Sequence, residues 1–182
     1  QNISLLLHRF SHLRDYDSII WNQLISLKEK GHVKRIGVSV QNQKEAIEAL
    51  DDNNVSIIQI PINILDWRWS DYDFQNKLAK RKDVLIHARS IYLQGIILRE
   101  EKDWPIIKNL NPTSILNIID NYVKKFNRRS RADLCLAWVK YHSWINGIVI
   151  GMESENQLED NLQIFSEDSL SKQQVDELKE LF

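Results

Sequence analysis

The sequence predicts an α/β fold built on a parallel sheet. Short β-branched apolar runs recur along the chain, helical patterns with defined ends separate them, and each run closes on a polar or small residue. Near-continuous apolar runs of four to seven residues suit strands covered on both faces, as in parallel sheets. Strand–helix alternation points to the same class.

The first run is ISLLL, followed by His8-Arg9. A helix is expected over 18–30, with Ile20, Trp21, Leu24, Ile25 and Leu27 on one side. Lys28 and Lys30 in its last turn complement the helix dipole, and Gly31 stops it. VKRIGVS is the second strand, and Asn42 with Glu45 has capping-box spacing ahead of AIEAL. SIIQI follows as the third strand, and Asp71 starts the helix carrying Phe74 and Leu78. DVLIHA is the fourth strand, and 99–112 (REEKDWPIIKNLNP) is read as the one long surface connection. Pro112-Thr113 opens ILNIIDNYVKKF, and Ser130 opens ADLCLAWVKYH. GIVI is the fifth strand, and two capping-box spacings follow, Ser154 with Gln157 and Ser171 with Gln174.

The chain of 182 residues fits one domain, 1–182, with no linker or low-complexity segment. Its 43% apolar and 27% charged residues are ordinary for a globular protein. With 24 basic and 25 acidic side chains there is no electrostatic footprint for nucleic acid and no polybasic membrane patch. Apolar stretches are too short to span a bilayer. The single cysteine, Cys135, rules out an internal disulfide and fits a reducing compartment, so the chain is read as cytoplasmic. Cys135 sits inside DLCLAWV, where a small buried hydrophobe is expected rather than a nucleophile.

Two architectures fit this order: an open doubly wound sheet, or part of a (β/α)8 barrel. A dinucleotide-binding open sheet has G-x-G-x-x-G after its first strand, and none is present. The barrel is therefore favoured, and five strands supply about five-eighths of one. The expectation is an incomplete (β/α)8 barrel with parallel strands four to eight and their helices, the first three βα units being absent. In such barrels sites form at the C-terminal strand ends. Those ends here are His8, Ser39, Gln59, Arg89 with Ser90, and Gly151, a ring around one mouth if the strands are parallel.

At these positions the chain resembles the aldo/keto reductases. LLLHRF resembles their fourth strand, LKEKGHVKRIGVSV the next helix and fifth strand, and IIQIPINILD the sixth strand. ARSIYLQGII resembles the seventh strand and its loop, and IVIGMESENQLEDNL the eighth strand and last barrel helix. The resemblance implies NADPH- or NADH-dependent reduction of an aldehyde or ketone, with a small-molecule carbonyl substrate. Of the family's Asp, Tyr, Lys and His tetrad, only the His has a counterpart, His8, which would orient the substrate carbonyl. Ser39 and Gln59 match the nicotinamide carboxamide positions, and Arg89 the position that stacks on the ring. Gly151 and the following helix start match the phosphate site, and Gln157 and Asn161 the adenine end. Ser90 and Ser154 are placed with the cofactor residues.

The pattern departs from the family at Val40, where an Asn is usual, and at Glu153, which would repel a 2′-phosphate if it faced one. NADH and NADPH both stay open. His12, His32, His87 and His142 lack metal-ligand spacing and are read as structural or surface residues. Tyr92, Trp21, Trp138 and Trp144 are read as packing residues, and Asp66 with Arg68 as a solvated pair. Asn63 is expected to brace its loop. Trp67 and Trp69 suit either a pocket wall or the barrel rim, and would permit a ring-bearing substrate such as a sugar. The alternative function is a cofactor-binding regulatory subunit with the same fold. An N-terminal segment, a second copy or a partner is expected to complete the barrel, because open sheet edges expose unpaired backbone groups.

Overall fold

The computed structural model describes residues 3–106, 108 and 110–181. The chain forms two compact units: residues 1–61, 68–89 and 144–149, and residues 62–67, 90–143 and 150–182.

The first unit holds a five-stranded sheet of β1 (Ser4–Leu7), β2 (Arg35–Ser39), β3 (Ile57–Pro61), β4 (Leu85–Arg89) and β5 (Gly147–Ile148). Strand order follows chain order, and all four pairings are parallel. A doubly wound sheet reverses its order at a switch point. This one does not, so the barrel-type winding is the correct one of the two. β5 is shorter than the predicted GIVI. Before it, Asn146 exchanges two bonds of 2.8 Å with Ile86, its side-chain oxygen taking the Ile86 N–H in place of a ladder carbonyl. After it, Val149 N–H reaches the Ala88 carbonyl at 2.8 Å.

Side chains alternate across a pleated strand. On one face Ile36, Val38, Ile58, Ile60, Ile86 and Ala88 are wholly buried. α1 (Ile19–Glu29) packs on β2, α2 (Gln43–Asp51) on β3, and α3 (Tyr72–Ala79) on α2. Their buried side chains are Trp21, Ala46, Ala49, Leu50, Phe74 and Leu78. The predicted helix ends are present. Gly31 is left-handed (φ 76°), and the bonds Gly31 N–H to Lys28 O and His32 N–H to Leu27 O, both 3.0 Å, make a Schellman stop. The Asn42 side chain caps Glu45 N–H at 3.0 Å, although Glu45 reaches back to Gln41 N–H rather than to the cap residue. Asp71 accepts from Asp73 and Phe74 N–H. Trp69 is buried, donating to the Pro61 carbonyl at 2.5 Å and meeting Phe74 edge-on. Trp144 lies against Phe74 as well, beyond the end of its helix.

The second unit comprises α4 (Pro112–Lys125), α5 (Arg131–Tyr141), α6 (Glu155–Ser166) and α7 (Lys172–Lys179). α5 is its centre, with 134–139 buried throughout. Burial pushes the Cys135 thiol up to about 12, which keeps it protonated. Arg131 grips Asp120 at 2.6 and 2.7 Å and the Arg99 carbonyl at 2.9 Å, and Arg128 pairs with Asp133. The predicted 99–112 surface connection is more ordered than expected. It contains a 3-10 turn, Glu101–Asp103, and buries Trp104, which a free loop leaves wet; Ile107 and Asn109 lie outside the described residues. Asn63 braces its loop by accepting Leu65 N–H at 3.0 Å. Trp67 meets Trp138 edge-on at 5.3 Å, and Trp138 meets His142 at 4.7 Å. Among the described residues no helix is long and apolar enough to cross a membrane.

Two predictions follow from packing. A Cβ on Gly37 would lie 1.6 Å from the Ile57 carbonyl oxygen, which belongs to the backbone and cannot swing away. Gly37→Ala is expected to lose more than about 3 kcal/mol in urea unfolding, or to give no folded protein. The His142 imidazole is pushed down to about 4 from its ordinary 6.5 by burial. Between those values the unfolded chain binds the extra proton, so stability falls as pH drops from about 6.5 towards 4, by up to about 3 kcal/mol from this residue. His142→Gln should flatten that part of the stability-against-pH curve measured by urea unfolding. An unchanged slope would show that His142 does not carry it.

Candidate functional site

Because the strands are parallel, their C-terminal ends share one edge of the sheet. Register and alternation then decide which side chains share a face. Ser39 pairs with Gln59, Gln59 with His87, and His87 with Gly147. These four form one row on the face opposite the sealed apolar one. Two residues further along the strands, Pro61 pairs with Arg89 on the same face. The sequence-predicted Ser39, Gln59 and Arg89 are thus brought together. His8 stands one residue past β1, exposed, at the same edge.

The centre of this face is a hydrogen-bonded arginine. Arg89 Nε donates to Ser39 Oγ at 3.2 Å, and its Nη2 donates to the Val40 carbonyl at 3.1 Å. Val40, which stands where the resemblance expects Asn, contributes through its backbone. Burial alone pulls the Arg89 pKa down, and a guanidinium stays charged under any such shift. The resemblance implies ring stacking for Arg89, and the structure adds that its guanidinium is held by β2 and the residue that follows it. Ser39 is buried and receives the Arg89 N–H as an acceptor. Among the described residues its own hydroxyl proton has no acceptor, and the half-buried Gln59 amide has no hydrogen bond. Two adjacent polar groups, one able to donate and one able to do both, therefore keep hydrogen-bonding capacity on this face.

His87, read from the sequence as structural or surface, stands on this same face. It lies in the row between Gln59 and Gly147, and a Cβ on Gly147 would be 2.9 Å from its ring. Glycine there makes room for the imidazole. Burial, and secondly Arg35, lower the His87 pKa, so the ring is neutral at pH 7. The signal available was period-two spacing within LIHAR, which puts His87 and Arg89 on one face.

The remaining predicted residues lie in the second unit. Ser90 opens a turn in which Ser90, Leu93 and Gln94 are all left-handed, with φ of 57°, 48° and 56°. Three non-glycine residues there store strain of about 1–3 kcal/mol each. The turn is closed by Leu93 N–H to the Ser90 carbonyl at 2.8 Å. Ser154 caps α6 by accepting Gln157 N–H at 3.3 Å, while the Gln157 side chain takes Glu153 N–H at 2.7 Å, one residue short of a true capping box. The space beside Gly151 is open, with nothing within 4 Å of an added Cβ. Asn161 accepts a bond from the Tyr92 hydroxyl at 3.3 Å, and Tyr92 is buried with its pKa raised by that burial. A buried phenol held this way is a packing residue and a poor acid. Among the described residues there is no cluster of metal-ligating side chains.

A parallel sheet wound in one direction, with a polar row at its C-terminal edge, is the arrangement of β/α-barrel proteins. The sequence pattern of the aldo/keto reductase family matches residues 4–182, and the chain belongs to that family of oxidoreductases. Among solved structures, it is similar to the holo form of an aldo-keto reductase from Bacillus halodurans, with 21% identity and a TM-score of 0.76 over 99% of this chain and 59% of that one. It is also similar to a glycerol dehydrogenase from Gluconobacter oxydans (14% identity, TM-score 0.71, 99% of this chain and 58% of that one). A third is an aldo/keto reductase from Brucella melitensis (21% identity, TM-score 0.63, 100% of this chain and 61% of that one). The chain thus spans about three-fifths of the length of these proteins. No curated protein matches it.

Proposed function

We propose that the chain carries the nicotinamide-binding part and the catalytic histidine of an NAD(P)H-dependent reductase acting on an aldehyde or ketone. The observation that carries this reading is the pair Ser39 and Gln59, registered neighbours on the polar face with uncommitted hydrogen-bonding groups. A primary carboxamide needs one donor for its carbonyl and one acceptor for its amine. Ser39 O–H supplies the first and the Gln59 side-chain oxygen the second. The fit to a nicotinamide is good on the residues present.

The dinucleotide, when bound, supplies the hydride. Ser39 and Gln59 would fix which ring face is presented, which is the positioning part of the catalysis. His8, at the open edge, would donate a hydrogen bond to the carbonyl oxygen of the substrate and stabilise charge developing there. Gly151, Ser154, Gln157 and Asn161 are offered, on the family resemblance, as the phosphate and adenine contacts. Glu153 in that segment leaves the choice between NADH and NADPH to measurement. A location in the cytoplasm fits the single buried thiol.

Residues 1–182 offer no counterpart of the family's Tyr–Lys acid, a proton-transfer group typically worth a factor of about 10² to 10⁴. The chain is therefore expected to bind NADH or NADPH without turning over a carbonyl compound. Titration calorimetry should show binding, and Ser39→Ala should weaken it about 2- to 10-fold, the worth of one hydrogen bond. Carbonyl-dependent loss of NAD(P)H absorbance by these residues alone would refute the inactive assignment. Equal affinity in Ser39→Ala would refute the carboxamide site.

A further inference from the structure

We propose that His87 orients the Gln59 amide by accepting a hydrogen bond from its amino group, so that the Gln59 oxygen is left to receive the amino group of a nicotinamide carboxamide. The inference rests on the nicotinamide reading above and assigns to His87 a positioning role that neither Ser39 nor Gln59 fills.

A glutamine amide has an oxygen at one end and an amino group at the other, and a half-turn exchanges them. The carboxamide site works only when the oxygen faces the ligand, so the Gln59 amino group then needs an acceptor of its own. Register puts His87 beside Gln59 in the same row, on the side away from Ser39. Both side chains are half-buried, and among the described residues neither makes a hydrogen bond. Ser39 Oγ already accepts from Arg89. The imidazole has a set orientation: a Cβ built on Gly147 would meet Cδ2 and Nε2 at 2.9 Å and Cε1 at 3.4 Å. That edge of the ring lies over Gly147, which leaves Nδ1 as the nitrogen on the β3 side, where Gln59 stands. A neutral imidazole has one acceptor nitrogen and can take the Gln59 N–H; an imidazolium has donors only. Arg35 and Arg89, the other ionisable side chains that the five strands place on this face, also have donors only. The neighbouring strands add no ionisable group beside His87: β3 presents Ile57, Gln59 and Pro61 there, and β5 presents Gly147. Burial and Arg35 keep the ring neutral at pH 7. Once protonated, the ring draws the Gln59 oxygen to itself and turns the amino group towards the ligand. Two amino groups then face each other, and the contact is lost.

The test compares two probes by calorimetry on the whole 182-residue chain. One is NAD⁺ or NADP⁺, whichever binds more tightly; the other is the acetylpyridine analogue of the same dinucleotide, in which a methyl group replaces the carboxamide amino group. Both carry the same ring charge, so their affinity ratio reports the Gln59 contact and not the charge of the face. At about pH 8 the carboxamide should bind about 2- to 10-fold more tightly, the worth of one hydrogen bond. The ratio should fall towards one as the pH drops below about 6.5. His87→Phe, which keeps a ring against Gly147 without an acceptor, should give a smaller ratio that no longer changes with pH. Gln59→Ala should remove the preference at every pH. A ratio in the unaltered chain that stays constant between about pH 8 and about pH 5 overturns the proposal without reference to any variant. A pH-dependent ratio that persists in His87→Phe overturns it as well. Binding of neither probe, or a preference that Gln59→Ala leaves intact, overturns the nicotinamide reading itself, and this proposal with it; a preference that needs Gln59 but ignores both pH and His87→Phe overturns the proposal alone.

Discussion

Each strand of the sheet buries one row of side chains and presents the other, and parallel pairing puts the C-terminal ends of all five on one edge. The buried row is uniformly aliphatic: Ile36, Val38, Ile58, Ile60, Ile86 and Ala88 are sealed from water. A one-residue slip in register would turn that row outward and take Ser39, Gln59, His87 and Arg89 into the apolar layer. The hydrophobic face therefore fixes the position of the polar one. Gly37 tightens the constraint, because no side chain fits between it and the Ile57 carbonyl. The functional reading depends on this register more than on any single polar contact.

Much of this was legible because it is local. Asn42, Asp71, Ser130, Ser154 and Ser171 all cap helices, Pro112 opens α4 as expected, and each of these starts is specified by residues within one turn. The strand runs were legible because four of the five are near-continuously apolar. GIVI is longer than the strand observed: β5 begins at the same Gly147 but ends at Ile148, with one further bond from Val149 N–H to the Ala88 carbonyl. The Arg89–Ser39 bond spans 50 positions and was not available to a reading by motif. The resemblance implies a stacking role for Arg89, and the fold adds a hydroxyl and a carbonyl that hold the guanidinium. The position of His87, by contrast, is local information: alternation within LIHAR puts it on the same face as Arg89.

The two units differ in where their predicted polar residues sit. In the first, polar groups are set on strand ends, where the ladder leaves little freedom. In the second, the predicted residues sit on a left-handed turn and on the exposed first turns of α6, with Tyr92 and Asn161 joined by one bond.

The most direct test of the account is an amide-resolved NMR titration of the nitrogen-labelled chain with NADPH. The largest shifts are predicted at Ser39, Gln59 and Arg89, with smaller ones along the neighbouring strand β5. Shifts that leave Ser39 and Gln59 unmoved, while affecting other strands or none, would contradict the claim that this face of the sheet receives a nicotinamide.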